Sequence, residues 1–290
     1  LQTYGATIFD TRNVEIRRCR FLSNSTRALY AKVCTRCSIV SNDVRNPGNL
    51  GIVVEAGYSN WVFANTVHGC ADGIALNGAS IASNILSGNR LFSNSVGISL
   101  AGAPGPRRTF IRSNEVYGPG QATGISISSS SASNTVIRNR IYRNSADGII
   151  IGGSGNATRI LHNSISANGG DGIRLGGSGS AHIAVNNISL SNGGYGVNQV
   201  ASSFGRFAGN VLYGNGSGNV STASLAASNG VLFLNPGFSN AASANFRLRP
   251  TSPAIDRGTT NGGLGAFVGP YTNVAPDIGA DETGFAQIPV

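Results

Sequence analysis

Two aspartates, Asp147 and Asp171, each stand immediately before a Gly-Ile step in successive segments of the chain. Two carboxylates brought within about 5 Å can split their pKa values, hold a cation such as Ca2+, or act as acid and nucleophile. His162 follows Arg138 in the equivalent place of the preceding segment, with Arg112 and Arg159 in neighbouring segments. An imidazole beside guanidinium groups suits proton abstraction next to a bound carboxylate. Asp147, Asp171, His162 and Arg138 are therefore the candidate catalytic set. Tyr117 and Tyr142 share a place in adjacent segments and offer apolar ring faces for sugars, with Arg112 as a third candidate substrate contact. Tyr30, Trp61 and Tyr195 are further candidates for stacking on sugars.

Each of these has a plainer reading. Asp-Gly is good turn chemistry wherever it occurs, and Asp72 occupies the same place well upstream. A Tyr column can be a structural ladder. His68, in HGCADG, can be a ligand, a base or a turn residue. Cys34-Thr-Arg-Cys37 has the spacing of half a zinc site, but no second pair exists. A local disulfide or two small buried residues is the simpler expectation.

What must position these residues is a repeat of about 24 residues. One Asn column runs Asn42, Asn65, Asn89, Asn114, Asn139, Asn163, Asn186 and Asn210, with spacings of 23–25, and Cys19 fits one period earlier. Three residues before each stands an apolar residue, from Ile39 through Ile183 to Phe207; two after stands another, from Val44 through Ile188 to Leu212. A Gly-apolar step follows, as in Gly97-Ile98 and Gly172-Ile173, and a second Asn column includes Asn24, Asn94, Asn144, Asn168 and Asn215. Three short apolar segments per repeat, split by turn residues, are strands. Stacked at about 4.8 Å, each pairs with the coils above and below. The pattern predicts an all-β fold, a right-handed parallel β-helix of about nine coils.

The pattern fades after residue 215. Residues 216–228 read as a loop, and the Pro-containing stretch beyond reads as a last partial coil and an irregular C-terminal cap. We expect coils over 1–228 and the cap over 229–290. The N-terminal edge carries no such cap, which leaves it open to self-association.

Composition narrows the function. Hydrophobic residues are 40%, charged residues only 11%, and mean hydropathy is +0.02. Net charge is +9, almost all of it Arg, since Lys32 is the sole lysine. The arginines are scattered without a basic run, which argues against nucleic acid and leaves acidic polysaccharide open. No apolar run is long enough to span a membrane. The chain begins at Leu1 without any Met, and is expected to be a segment of an exported precursor.

The repeat N-x-[IVL]-x-x-N followed by G-I-x-[IVL], the stretches NTVHGCADGIAL (65–76) and NRIYRNSADGIII (139–151), and the tail NFRLRPTSPAIDRG with APDIGADE resemble secreted bacterial right-handed parallel β-helix proteins. That pectate-lyase-like family of carbohydrate-binding proteins and sugar hydrolases includes the alginate C5-epimerases. The resemblance implies an extracellular protein that binds a polysaccharide and cleaves or epimerises it. The sequence departs from the active enzymes at telling places: it has no Asp-Pro-His motif, no Asp-Asp pair with Arg-x-Lys, and no acid-rich cluster for Ca2+. The alternative is a non-catalytic structural or adhesive surface module or filament subunit. Neither reading fixes a cofactor, and Ca2+ is the one candidate.

Overall fold

The computed structural model describes residues 4–45, 49–260, 271 and 273–283. The chain winds as a right-handed parallel β-helix, each coil giving one strand to each of three parallel sheets. The first sheet has ten strands, from Tyr4–Arg12 to Gly218–Val220. The second has nine, from Glu15–Arg17 to Phe204–Ala208, and the third has nine, from Arg20–Leu22 to Val211–Tyr213.

Most strands of the second and third sheets are only three residues long, with the middle side chain inward. Stacking turns these into continuous columns. In the first sheet Ile52, Ile74, Ile98, Ile125, Ile149, Ile173 and Val197 pair rung to rung, all fully buried. Val62, Leu86, Ile111, Val136 and Ile160 do the same in the second sheet, and Val67, Leu91, Val116, Ile141 and Ile165 in the third. Each such side chain removed from water contributes roughly 1.5–3 kcal/mol. The Gly-Ile glycines serve close approach: a Cβ on Gly97 would meet the Gln121 side chain at 2.2 Å and the Gly124 carbonyl at 2.6 Å.

The bends explain the asparagines. Between the second and third sheets one residue takes positive φ, 55° at Arg138 and 50° at His162. That conformation costs an L-residue roughly 1–2 kcal/mol. The next residue offsets the cost. Asn114 Oδ1 accepts from the Asn89 backbone N–H at 2.9 Å and from Asn89 Nδ2 at 3.0 Å, while Asn89 Nδ2 also donates to the Val62 carbonyl. Similar ladders stand at the other two bends, through Asn60 and Asn84, and through Asn144, Asn168, Asn192 and Asn215. Cys19, Cys37 and Cys70 hold ladder positions in the early coils, their backbone N–H groups donating to Asn42, Asn60 and Asn94. All four cysteines are free thiols, so the Cys34–Cys37 disulfide is not formed here.

One rung of the expected register is corrected. The ladder passes through Asn187, which bonds Asn163 and Asn210; Asn186 is the positive-φ residue before it. The inward residues of that coil are therefore Ala184 and Ser189. Ile183 and Ile188 face outward, and Ile188 is buried there by the C-terminal tail. Two consecutive asparagines leave two frames open, and the flanking Ile183 and Ile188 fit the apolar columns only in the frame that the fold does not adopt.

The stretch expected as a loop is also more ordered. It supplies the last first-sheet strand, Gly218–Val220, and a helical turn, Ala223–Ala226, whose Leu225 closes onto the core. The tail then folds back along the outside of the third sheet. Its antiparallel strands Phe238–Asn240 and Asn245–Leu248 place Phe238, Phe246 and Leu248 against Tyr142, Ile188, Leu190 and Val211.

Candidate functional site

Asp147 and Asp171 are neighbours, at the bend entering the first sheet. Each uses Oδ1 to accept the backbone N–H one coil on: Asp171 N donates to Asp147 and Tyr195 N donates to Asp171, both at 2.7 Å. The remaining oxygens are engaged as well. Asp171 Oδ2 accepts from Asn198 Nδ2 at 2.8 Å, and Asp147 Oδ2 lies 3.6 Å from Arg174. The pair thus extends the logic of the Asn ladders to a bend where the side chain is a carboxylate.

His162 and Arg138 are brought together but not with the aspartates, because they sit at the bend between the second and third sheets. His162 is 2% exposed. Its Nδ1 lies 3.1 Å from the Asp277 carbonyl and its Nε2 3.0 Å from Asn186 Nδ2. Burial, aided by the positive charge of Arg138, pulls its pKa down to about 4. Asn186 in turn holds Thr259 through both amide atoms. His162 is a buried clasp under the tail, and no substrate reaches it in this conformation.

The tyrosine pair belongs to a longer outward ladder on the third sheet. His68, Phe92, Tyr117 and Tyr142 stack with centroids 4.8, 5.4 and 5.1 Å apart and interplanar angles of 7°, 25° and 6°. Such stacking consumes the ring faces, so the interior rungs offer solvent only their edges and polar tips. Tyr142 is 5% exposed, covered by Phe246 at 5.1 Å, and its hydroxyl donates to Glu115 at 2.7 Å. Tyr142 therefore closes the ladder instead of receiving a sugar. Tyr117 is half-buried, and burial pushes its phenol pKa up.

Two less covered rings lie one bend away and pack on each other, Trp61 and Phe63, with centroids 5.5 Å apart and an interplanar angle of 41°. Trp61 and Phe63 are 43% and 37% exposed on the outside of the second sheet. On the adjacent rungs they meet Ser38, Ile85, Val40 and Ser87, so no ring stacks above or below them. Phe63 leads directly into an open notch of about 300 Å³ lined by Ala64, Asn65, Thr66, Gly88, Arg90 and Glu115. The notch exists because Ala64 and Gly88 occupy the positive-φ places of consecutive bends, where the flanking coils carry Ser41 and Ser113 and later ones Arg138 and His162. A Cβ on Gly88 would stand 3.1 Å from the Phe63 ring. On the floor Arg90 faces Glu115 at 3.6 Å and covers Phe92 and Tyr117, its guanidinium 5.7 and 5.4 Å from their centroids. Arg112 lies two rungs beyond Phe63 in the same column, exposed at the rim. Arg17, paired with Glu15, and Arg20, paired with Asp43, are exposed on the same edge, as are Arg18 and Arg45.

Of the residues singled out in the sequence, this edge gathers Tyr117, Arg112 and Trp61. Phe63, Arg90 and Glu115 escaped notice. Their signal is visible once the register is known: alternate positions in three-residue strands face outward, and these are the large or charged ones. Among the described residues no three His, Cys, Asp or Glu converge as metal ligands, and no helix is long and apolar enough to cross a membrane.

A family model described as right handed beta helix region matches residues 73–245, more than half of the chain. A second, described as periplasmic copper-binding protein (NosD), matches residues 1–107. Solved structures with the same fold include pectate lyase Pel9A, at 17% identity and TM-score 0.67, covering 91% of this chain and 69% of that one. The Azotobacter vinelandii mannuronan C-5 epimerase AlgE6 A-module is 15% identical with TM-score 0.65, covering 78% and 65%. The enzymatically active domain of bacteriophage CBA120 tailspike protein 2 is 13% identical with TM-score 0.55, covering 78% and 39%. The chain thus spans less than two thirds of the length of the last two. At these identities the likeness is one of fold. No curated protein matches the sequence significantly.

Proposed function

The chain belongs to the right-handed β-helix region family, and on that footing we propose that it is an exported module that binds an acidic polysaccharide along the edge between its second and third sheets. The observation that carries this reading is the notch at Thr66, Gly88, Arg90 and Glu115, entered beside the exposed, mutually tilted rings of Trp61 and Phe63. Sugar rings stack on aromatic faces through their apolar side, and arginine matches a uronate carboxylate in a planar fork. The excess of arginine along the edge favours an anionic chain. The polysaccharide-acting neighbours in fold support the substrate class by analogy.

Binding is the step the geometry carries. Cleaving or epimerising a uronate needs an acid and a base on one sugar. His68 and Tyr117, the candidate pair nearest the notch, stand two rungs apart with Phe92 between them.

Calorimetric titration with polygalacturonate, alginate and a neutral glucan tests the proposal. Saturable binding to the polyuronates, weakening with salt and reduced about ten-fold by Trp61→Ala or Arg90→Ala, is expected. Absence of binding to every polyuronate overturns it. Release of unsaturated uronate in the same samples would add cleavage to binding.

A further inference from the structure

The binding face does not run the length of the solenoid. Going along the third sheet, the outward column reads Arg20, Asp43, Thr66, Arg90, Glu115, Arg140, and the column beside it reads Leu22, Arg45, His68, Phe92, Tyr117, Tyr142. Five rungs, from Arg20–Leu22 to Glu115–Tyr117, are left uncovered by the described residues of the tail. At the sixth the tail arrives. Phe246 covers Tyr142, and Arg143 donates to the Ala242 carbonyl at the tip of the hairpin. Asp281, its side chain 10% exposed, pairs with Arg140.

That last contact is informative. Arg140 is the next cation after Arg90 in the column that an anionic chain would follow. The carboxylate on it belongs to the protein itself. Beyond it the outward residues become Ser164, Ile188 and Val211, all buried under the tail.

Resting on the polyuronate reading above, we propose that the C-terminal tail is a stop that makes the site recognise a chain end, with Asp281 occupying the arginine where the next sugar carboxylate would lie. Phe246, Arg143 and the Arg140–Asp281 pair are the specificity-determining wall. The open stretch of five rungs measures about 20 Å. A ligand lies along it with one terminus against the wall and the other free toward the first coils.

The test uses the intact chain and oligogalacturonates of increasing length, unlabelled or carrying a bulky fluorophore at either the reducing or the non-reducing end. Affinity should rise with length to about five sugars and then level off. One of the two labels should weaken binding about ten-fold or more, while the other is tolerated. Equal effects of the two labels, or affinity that keeps climbing with length, overturn the stop. No binding of unlabelled oligomers would instead mean that the polyuronate reading has failed. Phe246→Ala, with its melting curve recorded, should shrink the label penalty. The comparison of the two labels on the unaltered protein stands even if that variant does not fold.

Discussion

The third sheet is one object inside and two objects outside. Its inward column is apolar from Val44 to Ile165 and ends at Leu212, interrupted only at Ser189. Its outer face divides at Tyr142. Before that rung it carries arginines, carboxylates and an aromatic ladder; after it come Ser164, Ser166, Ile188, Leu190 and Val211, sealed by the tail. The inner positions are set by the coil and vary little along it. The outer positions are free to vary, so they record what each stretch faces: solvent in one half, the chain's own tail in the other.

The largest expected contrast comes from trimming a ring in each half. Phe246→Ala should cost about 3–5 kcal/mol in denaturant unfolding, because it opens a cavity between the tail and Tyr142. Phe92→Ala, on the half-exposed ladder, should cost less than half as much. Equal losses would show that the tail is not packed as described.

A slightly smaller effect is confined to the covered half. His162 is held neutral, its pKa lowered from 6.5 to about 4. Below pH 6.5 the unfolded chain takes up a proton that the folded chain refuses. Its contribution is therefore full above about pH 6.5 and is lost as pH falls toward 4. The total loss is about 3 kcal/mol. In His162→Gln this segment of the pH-stability profile should flatten. An unchanged slope would remove His162 from the clasp.

The smallest effect separates two ion pairs in the same column. Arg140→Ala should destabilise by about 1 kcal/mol, since its partner Asp281 is largely shielded. Arg90→Ala should change stability by less than about 0.5 kcal/mol, since Arg90 is 54% exposed in its pair with Glu115. Its effect should fall on ligand binding instead. A large stability loss from Arg90→Ala would make it structural.

The inner half of this account was legible in the sequence because every coil repeats it. Asn columns and Gly-Ile steps recur where bends and close approaches demand them, and the one misplaced rung, Asn186 for Asn187, fell where outward isoleucines mimic the inward pattern. The Asp-Gly residues Asp147 and Asp171 stood out as chemistry, yet their oxygens hold backbone N–H groups of the next coil. His162 stood out too, but nothing local in the sequence signals that Thr259 and Asp277 return to cover it and its partner Asn186. The notch was hidden for the opposite reason. It is made by what Ala64 and Gly88 lack, beside side chains drawn from three different coils.

Trp61 is the only tryptophan, and it stands in the open half beside the notch. Its fluorescence during titration with a polygalacturonate oligosaccharide tests the central claim most directly. A saturable change in emission is expected, with a midpoint that agrees with calorimetry and moves about ten-fold in Arg90→Ala. Calorimetric binding that leaves Trp61 emission unchanged would place the ligand elsewhere and contradict it.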